Sequence, residues 1–212
     1  MFASREEAGV QLGHFLMAEG AHADLVAGLP RGGVIVAAET ARVLGLPLDV
    51  MVVRKIGHPL HREFAVGAMA EEDVVVLDPS VAGRNPLIRS ELDRIIVEER
   101  ERLETYKRAF HGVGLIPFEG KAVLLIDDGL ATGATMEAAV LAARKRHASR
   151  VIVSAPVGSD GAVQRLSRVA DEVRIMLVDP DFDAVGRYYR EFSQTTDEEV
   201  QTALRSMART VP

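Results

Sequence analysis

From Val123 to Ile126 four apolar residues run without a break into Asp127 and Asp128. A turn of small and hydroxyl-bearing residues follows, Gly129-Leu130-Ala131-Thr132-Gly133-Ala134-Thr135, and a helical pattern runs on from Thr135 to His147. A short continuous apolar run reads as a strand buried on both faces, and such strands belong inside a sheet covered by helices. The strand therefore ends in two carboxylates at the rim of a sheet. The turn offers backbone N–H groups and hydroxyls at a helix N-terminus, which suits a phosphate. Carboxylates for sugar hydroxyls beside a cradle for a phosphate describe a site for a phosphorylated ribose.

The rest of the chain alternates in the same way. Ser4 can cap a first helix, with Glu7 three residues on completing a capping box and Val10, Leu12, Phe15 and Leu16 on its apolar face. Asp24 to Leu29 reads as a strand, Val34 to Leu44 as a helix stopped by Gly45 and Pro47, and Leu48 to Val53 as a second buried strand. Phe64 to Ala70 and Val74 to Leu77 are short enough for a hairpin across Glu71-Glu72-Asp73. Pro79, Gly83 and Asn85-Pro86 break the chain before a long amphipathic helix from Ile88 to Phe110. Its polar face offers Glu98/Arg102 and Glu104/Arg108 pairs four residues apart, read first as a solvated face. Strands at Val151–Val157 and Val173–Val178 flank a helix from Ala162 to Ala170, and a last helix starts near Thr196. This predicts one α/β domain over 1–212: a parallel sheet of about five strands flanked by helices, with an irregular lid at about 56–120 and a C-terminal hood at about 179–212.

The thirteen residues Val123–Thr135 resemble the phosphoribosyl pyrophosphate (PRPP) signature of the type I phosphoribosyltransferases. The one departure is Gly129, where the family usually carries an aliphatic residue. The resemblance implies that Asp127 and Asp128 hold the ribose hydroxyls and help place Mg²⁺, directly or through water. It implies that Ala131, Thr132, Gly133, Ala134 and Thr135 anchor the 5′-phosphate. Pro30-Arg31-Gly32-Gly33, between the first strand and its helix, looks like the family's pyrophosphate loop, in which several members carry a cis peptide that here would be Pro30–Arg31. Arg54-Lys55 ends the second strand. By resemblance Arg54 and Lys55 contact the pyrophosphate, with Arg31 and Lys55 as the catalytic cations; the other reading is a solvated strand end. His58 and His61 follow as loop histidines.

Asp179 to Tyr189 resembles the base-covering segment of hypoxanthine-guanine phosphoribosyltransferases. Phe182 is its candidate base-stacking residue, with Tyr188 in reserve and an aromatic mini-core as the alternative. No particular base is indicated. Ala131 stands where the oxopurine enzymes keep an aspartate, Val157-Gly158-Ser159 offers no lysine, and Ala65 replaces the glutamate of the adenine enzymes. The expected activity is a Mg²⁺-dependent phosphoribosyltransferase, a glycosyltransferase of nucleotide metabolism. Its partners would be PRPP and a small base or nucleotide. The alternative is a non-catalytic PRPP- or nucleotide-binding regulator, and a homodimer is compatible with the family.

Composition narrows the field further. The net charge is −6, which gives no general attraction to nucleic acid or to an anionic membrane. The absence of cysteine removes disulfides and thiolate chemistry. No apolar run reaches the length of a membrane span, and the polar, helix-like start lacks a signal-peptide pattern, so a cytoplasmic protein is the expectation.

Overall fold

The computed structural model describes residues 1–78, 86–111 and 116–208. Five strands form one parallel sheet: β1 (Leu25–Gly28), β2 (Leu48–Val50), β6 (Ala122–Ile126), β7 (Arg150–Ser159) and β8 (Glu172–Asp179), in the order β2-β1-β6-β7-β8. The chain leaves β1 towards one edge, at β2, and later fills the other side with β6, β7 and β8. The strand order therefore reverses between β1 and β6, and the crevice beyond their carboxyl ends is where open α/β sheets bind ligands.

Alternation along the strands divides the core into two layers. Val26, Leu124 and Ile126 face α1 (Arg5–Ala18), α2 (Gly32–Leu44), α3 (Pro86–Phe110) and α6 (Asp197–Ala208). Leu25, Ala27, Val123 and Leu125 face α4 (Ala134–Lys145) and α5 (Asp160–Leu166). The apolar run at Leu48–Val53 does not form one strand. It parts at Met51-Val52: β2 stays in the parallel sheet, and β3 (Val53–His58) opens a three-stranded antiparallel sheet with β4 (His61–Ala70) and β5 (Val74–Leu77). Hydrophobicity alone carries no mark of that change of sheet. The hairpin across Glu71-Glu72-Asp73 forms as expected. The break at 79–85 lies outside the described residues, as do 112–115 of the lid stretch and 209–212 of the hood stretch.

A buried polar group fastens the two sheets. Glu71 accepts from the Val52 N–H at 2.8 Å and lies 2.8 Å from His111 Nε2, while the Arg146 guanidinium rests 3.6 Å from the Phe118 ring centre. The charged face of α3 is largely exposed, as expected, and Glu99 is the one buried acid on it among the described residues. Glu99 binds Arg54 and Arg102, Glu98 reaches Arg62, and Glu104 pairs with Lys107 in place of the expected i, i+4 partners. The helix packs against β3, which puts hairpin cations within reach of its acids.

The Ser4 cap forms, its hydroxyl accepting from the Glu7 N–H at 3.4 Å, although the Glu7 carboxylate takes the Ala3 N–H. Val10 is exposed, contrary to the periodicity. Instead Gly9 and Gly13 set the approach of α1 to α2: a Cβ on Gly9 would stand 2.5 Å from the Val36 carbonyl oxygen, and one on Gly13 would stand 2.6 Å from Val43 Cβ. Gly9→Ala should therefore force the helices apart and cost about 1–3 kcal/mol, read as a lower midpoint in urea. An unchanged midpoint would show that the helix pair yields freely.

Candidate active site at the strand crossover

The two motifs meet at the crevice between β1 and β6. The Leu29 N–H donates to the Ile126 carbonyl at 2.8 Å, so the chain leaves both strands side by side. The Pro30–Arg31 peptide is cis, and α2 starts at the next residue, Gly32. The loop then lies directly on the acids. A Cβ on Gly33 would stand 2.8 Å from Asp127 Cα and 2.9 Å from the Ile126 carbonyl oxygen. One on Gly32 would run into the Asp128 carboxylate. Only glycines allow that approach.

Asp127 accepts the Asp128 N–H at 2.8 Å. Burial, and then the neighbouring Asp128 charge, push its carboxyl well above the ordinary carboxylate range, while the Lys55 and Arg5 charges oppose them. Lys55 is exposed and faces this acid electrostatically. The other two cations have protein partners. Arg54 gives Glu99 a 2.8 Å hydrogen bond and lies over Tyr106, and Arg31 is 3.6 Å from Asp197 at the start of α6. Pro30, Arg31, Val53, Arg54 and Tyr106 line a small cavity of about 70 Å³.

On the other side of the acids, the loop from Ala131 to Gly133 leads into α4. Gly133 has φ 73°, the left-handed turn that glycine adopts without steric cost. The Ser159 hydroxyl donates to the Ala131 carbonyl at 2.6 Å, and Arg165 Nη1 donates to the Thr132 carbonyl at 3.2 Å. In a trans peptide the N–H points opposite to the C=O. Drawing these two carbonyls towards β7 and α5 therefore turns the N–H groups of Thr132 and Gly133 the other way, clear of both elements. The first turn of α4 adds amides that have no carbonyl four residues back. Ser159→Ala and Arg165→Met should each weaken ribose 5-phosphate binding roughly three- to tenfold, the worth of one hydrogen bond. Calorimetry checks this, and unchanged affinity would mean that the loop holds its shape unaided.

The tail closes over the signature. Val185 packs on Gly129, where a Cβ would stand 2.6 Å from Val185 Cγ1, so the departure at Gly129 makes room for that side chain. The Tyr189 hydroxyl donates to the Asp128 carbonyl at 2.6 Å, and burial raises its phenol further. Phe182 stacks on Tyr188, ring centres 5.4 Å apart. The Tyr188 hydroxyl donates to Asp179, which holds that carboxyl below its usual range and pushes the phenol up to about 12. His58 and His61 stack on each other in the β3–β4 turn, and among the described residues no cluster of three metal-ligating side chains occurs.

Sequence reasoning gave no site role to Arg5, Ser159, Arg165 or Tyr189. Of these, Ser159 carried a local signal as a serine opening a helix, and Tyr189 closed the segment read as base-covering without a role of its own. Arg5 Nε donates to Asp128 Oδ2 at 2.8 Å from the first turn of α1.

Comparison with known proteins agrees with this geometry. Residues 14–189 match the family model described as "Phosphoribosyl transferase domain". A Mycobacterium tuberculosis protein named "Putative phosphoribosyl transferase" is 42% identical over 204 residues, covering 94% of this chain but 45% of its own length. The chain thus spans about half the length of that curated relative. A solved Thermus thermophilus protein, TT1426, is 42% identical, superimposes with a TM-score of 0.80, and is matched over 98% of this chain and 99% of its own. A Neisseria gonorrhoeae hypothetical protein solved with bound ppGpp is 14% identical with a TM-score of 0.51, covering 97% of this chain and 96% of its own, and shares the fold alone. With two such motifs facing each other across a strand crossover and a family model matching most of its length, the chain belongs to the phosphoribosyl transferase family.

Proposed function

We propose that this chain is a Mg²⁺-dependent phosphoribosyltransferase that moves the 5-phosphoribosyl group of PRPP onto a nitrogenous base. The observation that carries the reading is the contact of the Pro30–Gly33 loop with Asp127 and Asp128 at the sheet's switch point. In this reading the crevice serves as two phosphate cradles, with the two carboxylates taking the sugar hydroxyls.

In this reading a base nitrogen attacks C1 of the ribose, the bond from C1 to the pyrophosphate oxygen breaks, and pyrophosphate leaves with both electrons. The amides of the α4 N-terminus hold the 5′-phosphate. Asp127 and Asp128 orient the ring through its hydroxyls. Arg31, Lys55 and the amides of Gly32 and Gly33 stabilise the charge that grows on the departing pyrophosphate. The outer face of the Phe182–Tyr188 stack is the surface against which a base would lie. Two adjacent carboxylates, with no third metal-ligating side chain clustered on them among the described residues, suit Mg²⁺, which is often held by one or two carboxylates plus substrate oxygens and water. When bound it would neutralise pyrophosphate oxygens.

A second reading, a PRPP- or nucleotide-binding regulator, draws on the pairing of Arg54 with Glu99 and of Arg31 with Asp197, which among the described residues leaves Lys55 to face the acids without such a partner. The test is release of pyrophosphate from PRPP and Mg²⁺ across a panel of purines, pyrimidines and analogues, with thermal shift on the same samples. Base-dependent release lost in Asp128→Asn supports the transferase. Stabilisation by PRPP without release from any base favours the regulator, and no response to PRPP removes both readings.

A further inference from the structure

We propose that Arg5 is a positioning residue for Asp128, tying one carboxylate oxygen so that the other is presented to a sugar hydroxyl; this rests on the phosphoribosyl reading of the site. Arg5 sits in the first turn of α1, 123 residues from its partner in sequence. An ordinary surface arginine gains little from an ion pair because both side chains must be immobilised. Here the immobilisation is built in from four sides. Arg5 Nε holds Asp128 Oδ2 at 2.8 Å, and Nη1 donates to the Ser193 carbonyl at 2.8 Å. The guanidinium carbon lies 3.9 Å from the centre of the Phe192 ring. The Gly32 backbone closes the remaining side, where a Cβ would stand 2.5 Å from Arg5 Nε. The two side chains are only 11% and 15% exposed.

The pairing uses a single nitrogen on a single oxygen. Among the described residues, Asp128 Oδ1 accepts no hydrogen bond, so the carboxylate is held at one atom and open at the other. A residue whose rotamer is fixed by its own neighbours is what precise ligand placement needs. The titratable groups facing this pair are the Asp127 carboxylate, the Tyr189 phenol beside Asp128 and the Glu199 carboxylate on the Arg5 side, while the Lys55 ammonium of β3 faces Asp127. Arg5 is thus the one cation bonded to the acid pair among the described residues, and it is delivered by an element outside both motifs. Through Ser193, Arg5 also joins the N-terminal helix to the tail, next to the bridge in which the Phe2 N–H donates to the Tyr188 carbonyl and the Arg190 N–H to the Phe2 carbonyl.

The test is calorimetric titration of ribose 5-phosphate, with inorganic phosphate followed by ³¹P NMR as the ligand without a sugar. Wild type, Arg5→Gln, Asp128→Asn and the double variant are compared, with circular dichroism as the check on folding. Arg5→Gln should weaken ribose 5-phosphate roughly tenfold and leave phosphate within about twofold. In the Asp128→Asn background it should add nothing further. Phe192→Leu, which keeps the arginine but removes the ring beneath it, should give a smaller loss in the same direction and covers the case in which Arg5→Gln folds poorly. Equal losses for both ligands, or tighter ribose 5-phosphate binding, would overturn the role, the first making Arg5 a phosphate or scaffold cation and the second a competitor for the acid. If the wild type binds neither ribose 5-phosphate nor PRPP, the phosphoribosyl reading falls and this role falls with it. If it binds both and Arg5→Gln binds them equally well, only the role of Arg5 is lost.

Discussion

Asp127→Asn should raise the melting temperature of the ligand-free protein in metal-free buffer while removing most of its affinity for PRPP. The two effects share one cause. Asp127 is held against Gly33 and beside Asp128, where burial and a like charge raise its carboxyl well above the ordinary range. A carboxyl raised on folding is protonated more readily in the native state than in the unfolded chain. Stability is then full at acid pH, below the unfolded value, and is lost as the pH rises through the native one. Asparagine carries no such charge, and its oxygen can still accept the Asp128 N–H. The thermal gain should therefore be greatest near neutral pH and shrink as the pH falls towards the ordinary carboxylate range. On the ligand side, a charged acceptor for a hydroxyl is worth roughly 1.5–3 kcal/mol, so affinity should fall about ten- to a hundredfold. Differential scanning fluorimetry across pH checks the first effect and calorimetry the second. A variant that is less stable at neutral pH and binds PRPP normally would show that Asp127 is scaffold and not site.

The two motifs were legible in the sequence because each is local. An apolar run ending in Asp127-Asp128, and a Gly-Gly turn opening a helix, state their own geometry within a few residues. Their meeting follows from β1 pairing with β6, which the alternation of strands and helices implied without specifying. What stayed hidden depends on distant chain. Nothing around Arg5 marks it as a partner of Asp128, because the contact exists only once α1 packs on α2 through Gly9 and Gly13. Glu99 drew no reading beside the Glu98/Arg102 and Glu104/Arg108 pairs, because its partner Arg54 reaches it only through the packing of β3 on α3. Gly129 looked like a blemish in the signature, and Val185 supplies its reason. The split at Met51-Val52 was equally silent, since Val50 to Val53 is continuously apolar and the turn between sheets uses no glycine or proline.

Gly33→Ala should be the most damaging single-methyl change in the site. The added carbon would stand 2.8 Å from both Cα and Oδ1 of Asp127 and 2.9 Å from the Ile126 carbonyl oxygen. Two of those three atoms are backbone inside a buried strand end, so they cannot swing aside as a side chain can. The loop must move instead, carrying the Gly32 and Gly33 amides and the start of α2 away from the acids. Such overpacking costs about 1–3 kcal/mol of stability. A displacement near 1 Å can cost roughly a hundredfold in a reaction that depends on placement. PRPP affinity and pyrophosphate release should therefore fall far more than the urea midpoint. Gly161→Ala is the control: its nearest neighbour would be Ser159 Oγ at 3.8 Å, within α5, so the methyl meets no obstacle there. Helix propensity favours that change by about 0.5–1 kcal/mol. If Gly33→Ala kept normal PRPP binding while Gly161→Ala behaved as expected, the loop would have room that the structure denies it, and the pyrophosphate cradle would have to be sought elsewhere along the sheet edge.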